Sequence, residues 1–238
     1  AHYWSLHLPG PDQSKPWLQR ILNRMASQDH DFQKIMKQLD GEIGRLLDFL
    51  DESGLGAETL LILSADHGEE LKHERGFVSH AFGVTDSVIH TPLLVSGPSI
   101  TPGTPSALVS GVDITPTIVD ALGVTCDMEF HGTSLLGPLP ARSAIFASSA
   151  SPCQGLMGRS FVVSDRHMVL APPWKLILDR TNDALALYHL SNDPRERRNL
   201  ADEHPDITER LNRSLNLYLS GEIDEASKTL ETTDSPLM

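Results

Sequence analysis

The stretch TLLILSADHG, residues 59–68, decides how this chain is read. Thr59 to Ser64 is a short, almost wholly apolar run, the length of a strand buried on both faces of a parallel sheet. Asp66, His67 and Gly68 follow at once, where such a strand would emerge at its C-terminal end. In an open α/β sheet, ligands bind at that edge. A carboxylate oxygen and an imidazole nitrogen side by side on a glycine turn can serve the same cation. The run continues as ELKHERGFVSHAFG, residues 70–83, and adds a further imidazole at His80. A metal or phosphate-type site is therefore expected here rather than a solvated loop.

Upstream, Asp29 or Asp31 is expected to cap a long amphipathic helix. In it Phe32, Ile35, Leu39, Ile43, Leu46, Leu47 and Leu50 recur at i, i+3, i+4 spacing, with Met36 and Leu46 read as core contacts. Gly54 and Gly56 end it. Downstream lie an apolar strand, Pro92 to Ser96, and a helix from Asp113 to Leu122. Pro116 falls near the first turn of that helix, where a missing N–H costs nothing. Helix, strand, loop, strand, helix is the order of a doubly wound α/β sheet. From about residue 143 the texture changes. RSAIFAS, RSFVVSDRHMVL, WKLILD and LALYHL are short strand-like runs between turns, expected to form a small antiparallel sheet. Asp206 to Leu219, with Ile207, Leu211, Leu215 and Leu219 four apart, is expected to close it as a helix. The polar end, GEIDEASKTLETTDSPLM, is expected to fray or extend into solvent. The reading is α/β: a main domain over 1–142 and a small antiparallel-sheet-plus-helix subdomain over 143–238.

Composition suits a globular core, with 39% hydrophobic and 21% charged residues among 238. No apolar run approaches the roughly 20 residues that span a bilayer. The net charge of −13 disfavours nucleic acid and anionic membrane surfaces as partners, so an anionic substrate needs local positive charge or a metal. Two cysteines, Cys126 and Cys153, exclude a disulfide-rich scaffold. The start AHYWSLHLPG reads as internal, so the lack of a signal peptide says nothing about compartment. Neither oligomeric state nor substrate is written in these features.

SADHGEE, the later His80-Ala81 and VIHTPLLVSGP resemble the sulfatase branch of the alkaline phosphatase superfamily, whose members read S-D-H/N-G-E, then H-G, then V-P-L-I-V-x-x-P. AHYWSLHLPGP at the start is similar to the family's H-x-P segment, and KQLDGEIGRLLDFLDESGL to the helix before its metal strand. GVDITPTIVDALGV followed by HGTSLL resembles its D-x-x-P-T-I-L-D and G-x-S-L pair. ALYHLSNDPRERRNL is close to its E-L-Y-D-L-x-x-D-P-x-E-x-x-N-L signature. The resemblance implies an alkaline phosphatase-like fold and a metal-dependent hydrolase of sulfuric esters. A phosphate or phosphonate ester hydrolase, a phosphoethanolamine transferase of the same superfamily and a non-catalytic degenerate member are the alternatives. It allows a periplasmic or secreted location.

The family's nucleophile element, C/S-x-P-x-R, is missing, since neither Cys126 nor Cys153 has Pro two residues on and Arg four on. The resemblance therefore implies the C-terminal half of an enzyme, inactive alone. It makes Asp66 and His67 metal ligands for a divalent cation. Ca²⁺ is most typical of sulfatases, whereas imidazole in place of Asn at position 67 suits Zn²⁺ or Mn²⁺. His80 and His7 fall where the family has catalytic histidines near the leaving group, with Ala81 replacing Gly and Gly10-Pro11 replacing an aromatic. The substrate implied is a small-molecule or carbohydrate sulfate or phosphate ester. Arg75 stands where the family has His, and Lys72 is an insertion. His73, His90 and His131 match no family ligand. Asp193-Pro194 with Glu196 and Asn199 is expected to fix how the last helix docks. Trp174-Lys175 reads as a subdomain strand rather than a pocket wall.

Overall fold

The computed structural model describes residues 17–70, 83–98, 100–154 and 160–231. These form two compact units.

The first unit holds helix α1 (Trp17–Glu52) and the strands β1 (Leu61–Ser64) and β2 (Leu93–Ser96). Helix α1 runs for 36 residues, so neither Asp29 nor Asp31 caps it. No proline stands between Pro16 and Pro92, and Gly41 and Gly44 are tolerated within the helix. Gly54 stops it as expected, adopting the left-handed φ of 73° after Ser53 N–H returns to the Phe49 carbonyl. Leu46, Leu47 and Met36 are exposed, against the expectation of core contacts for that stripe. Ile35, Leu39, Ile43 and Leu50 of the same stripe are half buried, so periodicity reports which face is apolar but not how fully it is covered. Strands β1 and β2 pair antiparallel, Leu61 opposite Ser96 and Ser64 opposite Leu93, and every β1 residue is only half buried. The expected parallel, doubly buried strand is corrected on both counts for this pair. An all-apolar run suits either strand sense, because direction is set by the path of the return connection and not by the strand's own residues.

The second unit centres on a four-stranded antiparallel meander, β3 (Ile145–Gln154), β4 (Ser160–Ala171), β5 (Trp174–Asp179) and β6 (Ala184–His189), as the strand-like runs led us to expect. Its strands read as nearly continuous apolar runs because both faces are covered. Val169, Ala171, Trp174, Leu176 and Leu187 face two helices, α4 (Pro205–Leu219) and α5 (Ile223–Glu231), and pack on Leu211, Leu215 and Leu230. Phe146 stacks on Tyr218 there, ring centroids 4.4 Å apart. Met168 and Ile177, one residue out of step, point to the opposite face and pack on Val84 and Ile89. Ile89 ends the one-turn helix α2 (Asp86–Ile89). Over residues 223–231, helix α5 corrects the expectation of a fraying tail, and residues 232–238 lie outside the described residues. Ala226 and Leu230, four apart, are buried, and Ser214 Oγ–H donates to the Ala226 carbonyl at 2.7 Å, so this short helix gains its stability from packing on α4.

Helix α3 (Ile114–Ala121) is organised by the residue before it. Asp113 is wholly buried, and its carboxylate receives the Arg142 guanidinium at 2.6 and 2.7 Å together with the Ser110 and Thr133 amides, both at 2.8 Å. Thr117 Oγ–H donates to the Asp113 carbonyl and accepts the Leu135 amide. This knot is the physical content of the Asp-x-x-Pro-Thr and His-Gly-Thr-Ser-Leu segments. Burial by itself raises the Asp113 carboxyl, but the Arg142 fork and the two amides outweigh it and hold the group below the usual carboxylate range.

Candidate functional site

Asp66, His67 and Gly68 make a tight polar turn within the second unit. Asp66 Oδ1 accepts the amide of His67 at 2.9 Å, which turns the carboxylate back over its neighbour. The Asp66 side chain is 84% exposed and that of His67 33%, and Asp66 Oδ2 lies 3.7 Å from His67 Nε2. His67 Nδ1 is 2.8 Å from the Gly68 carbonyl oxygen. A carbonyl only accepts, so Nδ1 carries the proton and the acceptor lone pair falls on Nε2, the nitrogen on the side of Asp66 Oδ2. One carboxylate oxygen and one imidazole nitrogen thus lie 3.7 Å apart, donor types that suit a divalent cation.

The turn is held from behind. Gly68 N–H donates to the Val88 carbonyl in α2 at 2.6 Å. A Cβ at Gly68 would collide with the Ser87 carbonyl oxygen, so the approach of loop to helix requires glycine. Val88 and Val84 are buried. Asp86, at the start of α2, pairs through Oδ1 with Lys175 Nζ at 2.7 Å, and its amide donates to Glu196 Oε2 at 3.2 Å. Lys175 Nζ also lies 2.5 Å from Glu196 Oε1, an ion-pair contact outside hydrogen-bond alignment. Burial pushes the Glu196 carboxyl up, the nearby Lys175 ammonium opposes this, and the Asp86 charge adds to it.

Sequence reasoning named Asp66 and His67, and Asp66 Oδ2 lies 3.7 Å from His67 Nε2. His80 and His7 lie outside the described residues, as do Lys72, His73 and Arg75. His90 sits 4.0 Å from Asp86 Oδ2, with its ring mostly exposed, and His131 is exposed. Among the described residues no group of three or more His, Cys, Asp and Glu side chains could hold a metal. The Lys175, Asp86 and Glu196 cluster was not read from sequence. Its signal was there: a lysine inside the apolar run WKLILD, on a strand buried on both faces, needs carboxylate partners. The Asp193-Pro194 segment is tied by local side-chain to amide hydrogen bonds. Asp193 Oδ2 accepts the Arg197 and Arg198 amides, and Asn199 Oδ1 accepts those of Leu187 and Ala201.

The chain is similar to known proteins over most of its length. The sequence model of the family described as Sulfatase matches residues 9–124, and that of the family described as N-sulphoglucosamine sulphohydrolase, C-terminal, matches residues 73–220. Arylsulfatase K of Xenopus laevis is 30% identical over an alignment of 190 positions that covers 75% of this chain and 34% of that protein. Arylsulfatase K of Homo sapiens is 30% identical over an alignment of 195 positions that covers 77% of this chain and 35% of that protein. The chain thus spans about a third of the length of the curated relatives it matches. Among solved structures, BT4656 in complex with its substrate D-glucosamine-2-N,6-O-disulfate superposes with a TM-score of 0.67 and 25% identity, over 86% of this chain and 41% of that one. The phosphonate monoester hydrolase of Silicibacter pomeroyi superposes with a TM-score of 0.70 and 23% identity, over 85% of this chain and 42% of that one, a likeness of fold. With family matches running from residue 9 to residue 220 and solved sulfatases sharing its α/β, alkaline phosphatase-like fold, this chain belongs to the sulfatase family.

Proposed function

We propose that the chain is the C-terminal part of a metal-dependent sulfuric ester hydrolase, with Asp66 and His67 as two of the cation's ligands. The observation that carries this is the 3.7 Å juxtaposition of Asp66 Oδ2 and His67 Nε2, in a tautomer set by the Gly68 carbonyl, within a chain of this family. A divalent cation held there neutralises the ester's charge and orients the attacking group when bound. That neutralisation is needed, because a chain of net charge −13 does not attract an anion by its overall field.

The chain's own residues divide the remaining work. The Gly68 carbonyl fixes the His67 ring, so the imidazole need not reorganise when a cation arrives. His80 holds a proton for the departing ester oxygen, a task suited to a side chain that titrates near neutrality. His7 attends the same leaving group. The nucleophile is supplied by a part of the enzyme outside these residues, because no C/S-x-P-x-R element occurs in the sequence. The domain division is 1–142 for the catalytic part and 143–238 for the small subdomain. Sulfated sugars are the first substrate class to assay, given the glucosamine disulfate bound by a similar protein. A phosphate or phosphonate ester is the second reading, favoured by an imidazole rather than a carboxamide at position 67.

Asp66→Ala in the full-length protein tests the proposal. Elemental analysis should find the bound divalent metal gone, and hydrolysis of aryl and sugar sulfates should vanish with it. Stoichiometric metal retained in the variant would refute the ligand assignment. Turnover of phosphate esters with none of sulfate esters would select the second reading.

A further inference from the structure

Lys175 is wholly buried at the centre of a small sheet, a position that an ammonium group takes only with partners. Strand alternation decides where it points. Trp174 and Leu176 face α4 and α5, so Lys175 emerges on the other face, where Val84 and Ile89 of the 83–91 segment pack. There its Nζ meets Asp86 Oδ1 at 2.7 Å and Glu196 Oε1 at 2.5 Å. Glu196 is held for this contact in a left-handed conformation, φ 52°, and its other oxygen accepts the Asp86 amide at 3.2 Å. A non-glycine residue in that region costs on the order of 1 kcal/mol and persists only where surrounding contacts over-determine it.

Buried ion pairs as such are weak stabilisers, and apolar residues of similar volume often replace them without loss. What the cluster grips is therefore more informative than its charge. Asp86 begins α2, the Val88 carbonyl of α2 takes the Gly68 amide at 2.6 Å, and the Gly68 carbonyl takes His67 Nδ1 at 2.8 Å. Each link is a hydrogen bond or one turn of helix, and a Cβ at Gly68 would meet the Ser87 carbonyl oxygen, so loop and helix lie close.

We propose that Lys175 is a positioning residue for the Asp66–His67 pair: through Asp86 and α2 it sets the direction in which His67 Nε2 is offered to a cation. The inference rests on the reading of Asp66 and His67 as metal ligands. Lys175 touches neither substrate nor metal; it acts on the turn that does.

The test is Mn²⁺ affinity, measured by equilibrium dialysis on the full-length protein, with thermal unfolding of the metal-free form recorded beside it. Lys175→Met alone leaves a buried carboxylate unpaired and is expected to destabilise. The informative variant is Lys175→Met with Glu196→Gln, which removes the buried charges together and leaves Asp86, part exposed, to water. It should unfold within a few degrees of wild type yet bind Mn²⁺ about 10- to 100-fold more weakly, the range for loss of a group that orients a metal ligand. Glu196→Gln alone keeps the Lys175–Asp86 pair, so it should fold and change affinity by less than about threefold. Wild-type Mn²⁺ affinity in a folded double variant would overturn the positioning role. If the double variant does not fold, an affinity loss of tenfold or more in Glu196→Gln would do the same, because the lysine contact would then not be the one that matters. Unchanged Mn²⁺ binding in Asp66→Ala is a separate outcome and removes the underlying metal reading instead.

Discussion

Replacing Arg142 by Met strips the fully buried Asp113 carboxylate of its guanidinium while keeping an apolar side chain of comparable length. Two of the four donors on that carboxylate, the Ser110 and Thr133 amides, remain. Removing one partner of a buried pair costs about 3–5 kcal/mol. Arg142 is 21% exposed and those amides persist, which places the expected loss near the lower end, about 3 kcal/mol at neutral pH. The sign of its pH dependence follows from the two states of Asp113. In the native protein its pKa is lowered, so its contribution is present above the unfolded value near ~3.9 and lost as pH falls through the folded one. In the variant burial dominates and raises the pKa, so the carboxyl must be protonated to fold comfortably, and the penalty is relieved as pH falls. Urea unfolding of both proteins between neutral pH and about pH 4 measures the difference, with other carboxylates cancelling at matched m-values. The gap should be widest at neutral pH and shrink on acidification. A loss that stays constant over that range would refute the charge argument and leave only the packing of the arginine stem.

His80→Ala in the full-length protein should lower kcat by about 10²–10⁴, and by less for nitrophenyl esters, whose leaving group needs little protonation; an equal loss for good and poor leaving groups would point to anion binding or structure instead. The 238-residue chain expressed alone should aggregate or bind a hydrophobic dye and hydrolyse neither aryl sulfates nor aryl phosphates, since Phe49, Leu94, Leu122 and Met128 are all exposed. A soluble monomer with a sharp unfolding transition, or any turnover by it, would contradict that expectation.

Much of this molecule is legible in one dimension. The four strands from Ile145 to His189 and the helix ending at Leu219 follow from apolar runs broken by turn residues, and local pattern suffices because consecutive strands pair with their neighbours. The proposed Asp66-His67 pair could be named from sequence because its two groups lie in adjacent residues. Other features depend on contacts between residues far apart in the chain. The antiparallel sense of β1 and β2 is absent from their residues, since an apolar run fits either direction. The exposure of Leu46 and Leu47 is absent from their period, which names a face but not a partner. Helix α5 looked too polar to hold until α4 offered Ala226 and Leu230 a surface, because a helix of nine residues forms only against something. Lys175 is the clearest instance. Its sequence neighbours say only that it lies in a strand, and its partners stand 89 positions away at Asp86 and 21 away at Glu196. Burying an ammonium is costly enough that those carboxylates must be delivered to it, and only the packing of the sheet face against the 83–91 segment brings the first of them there.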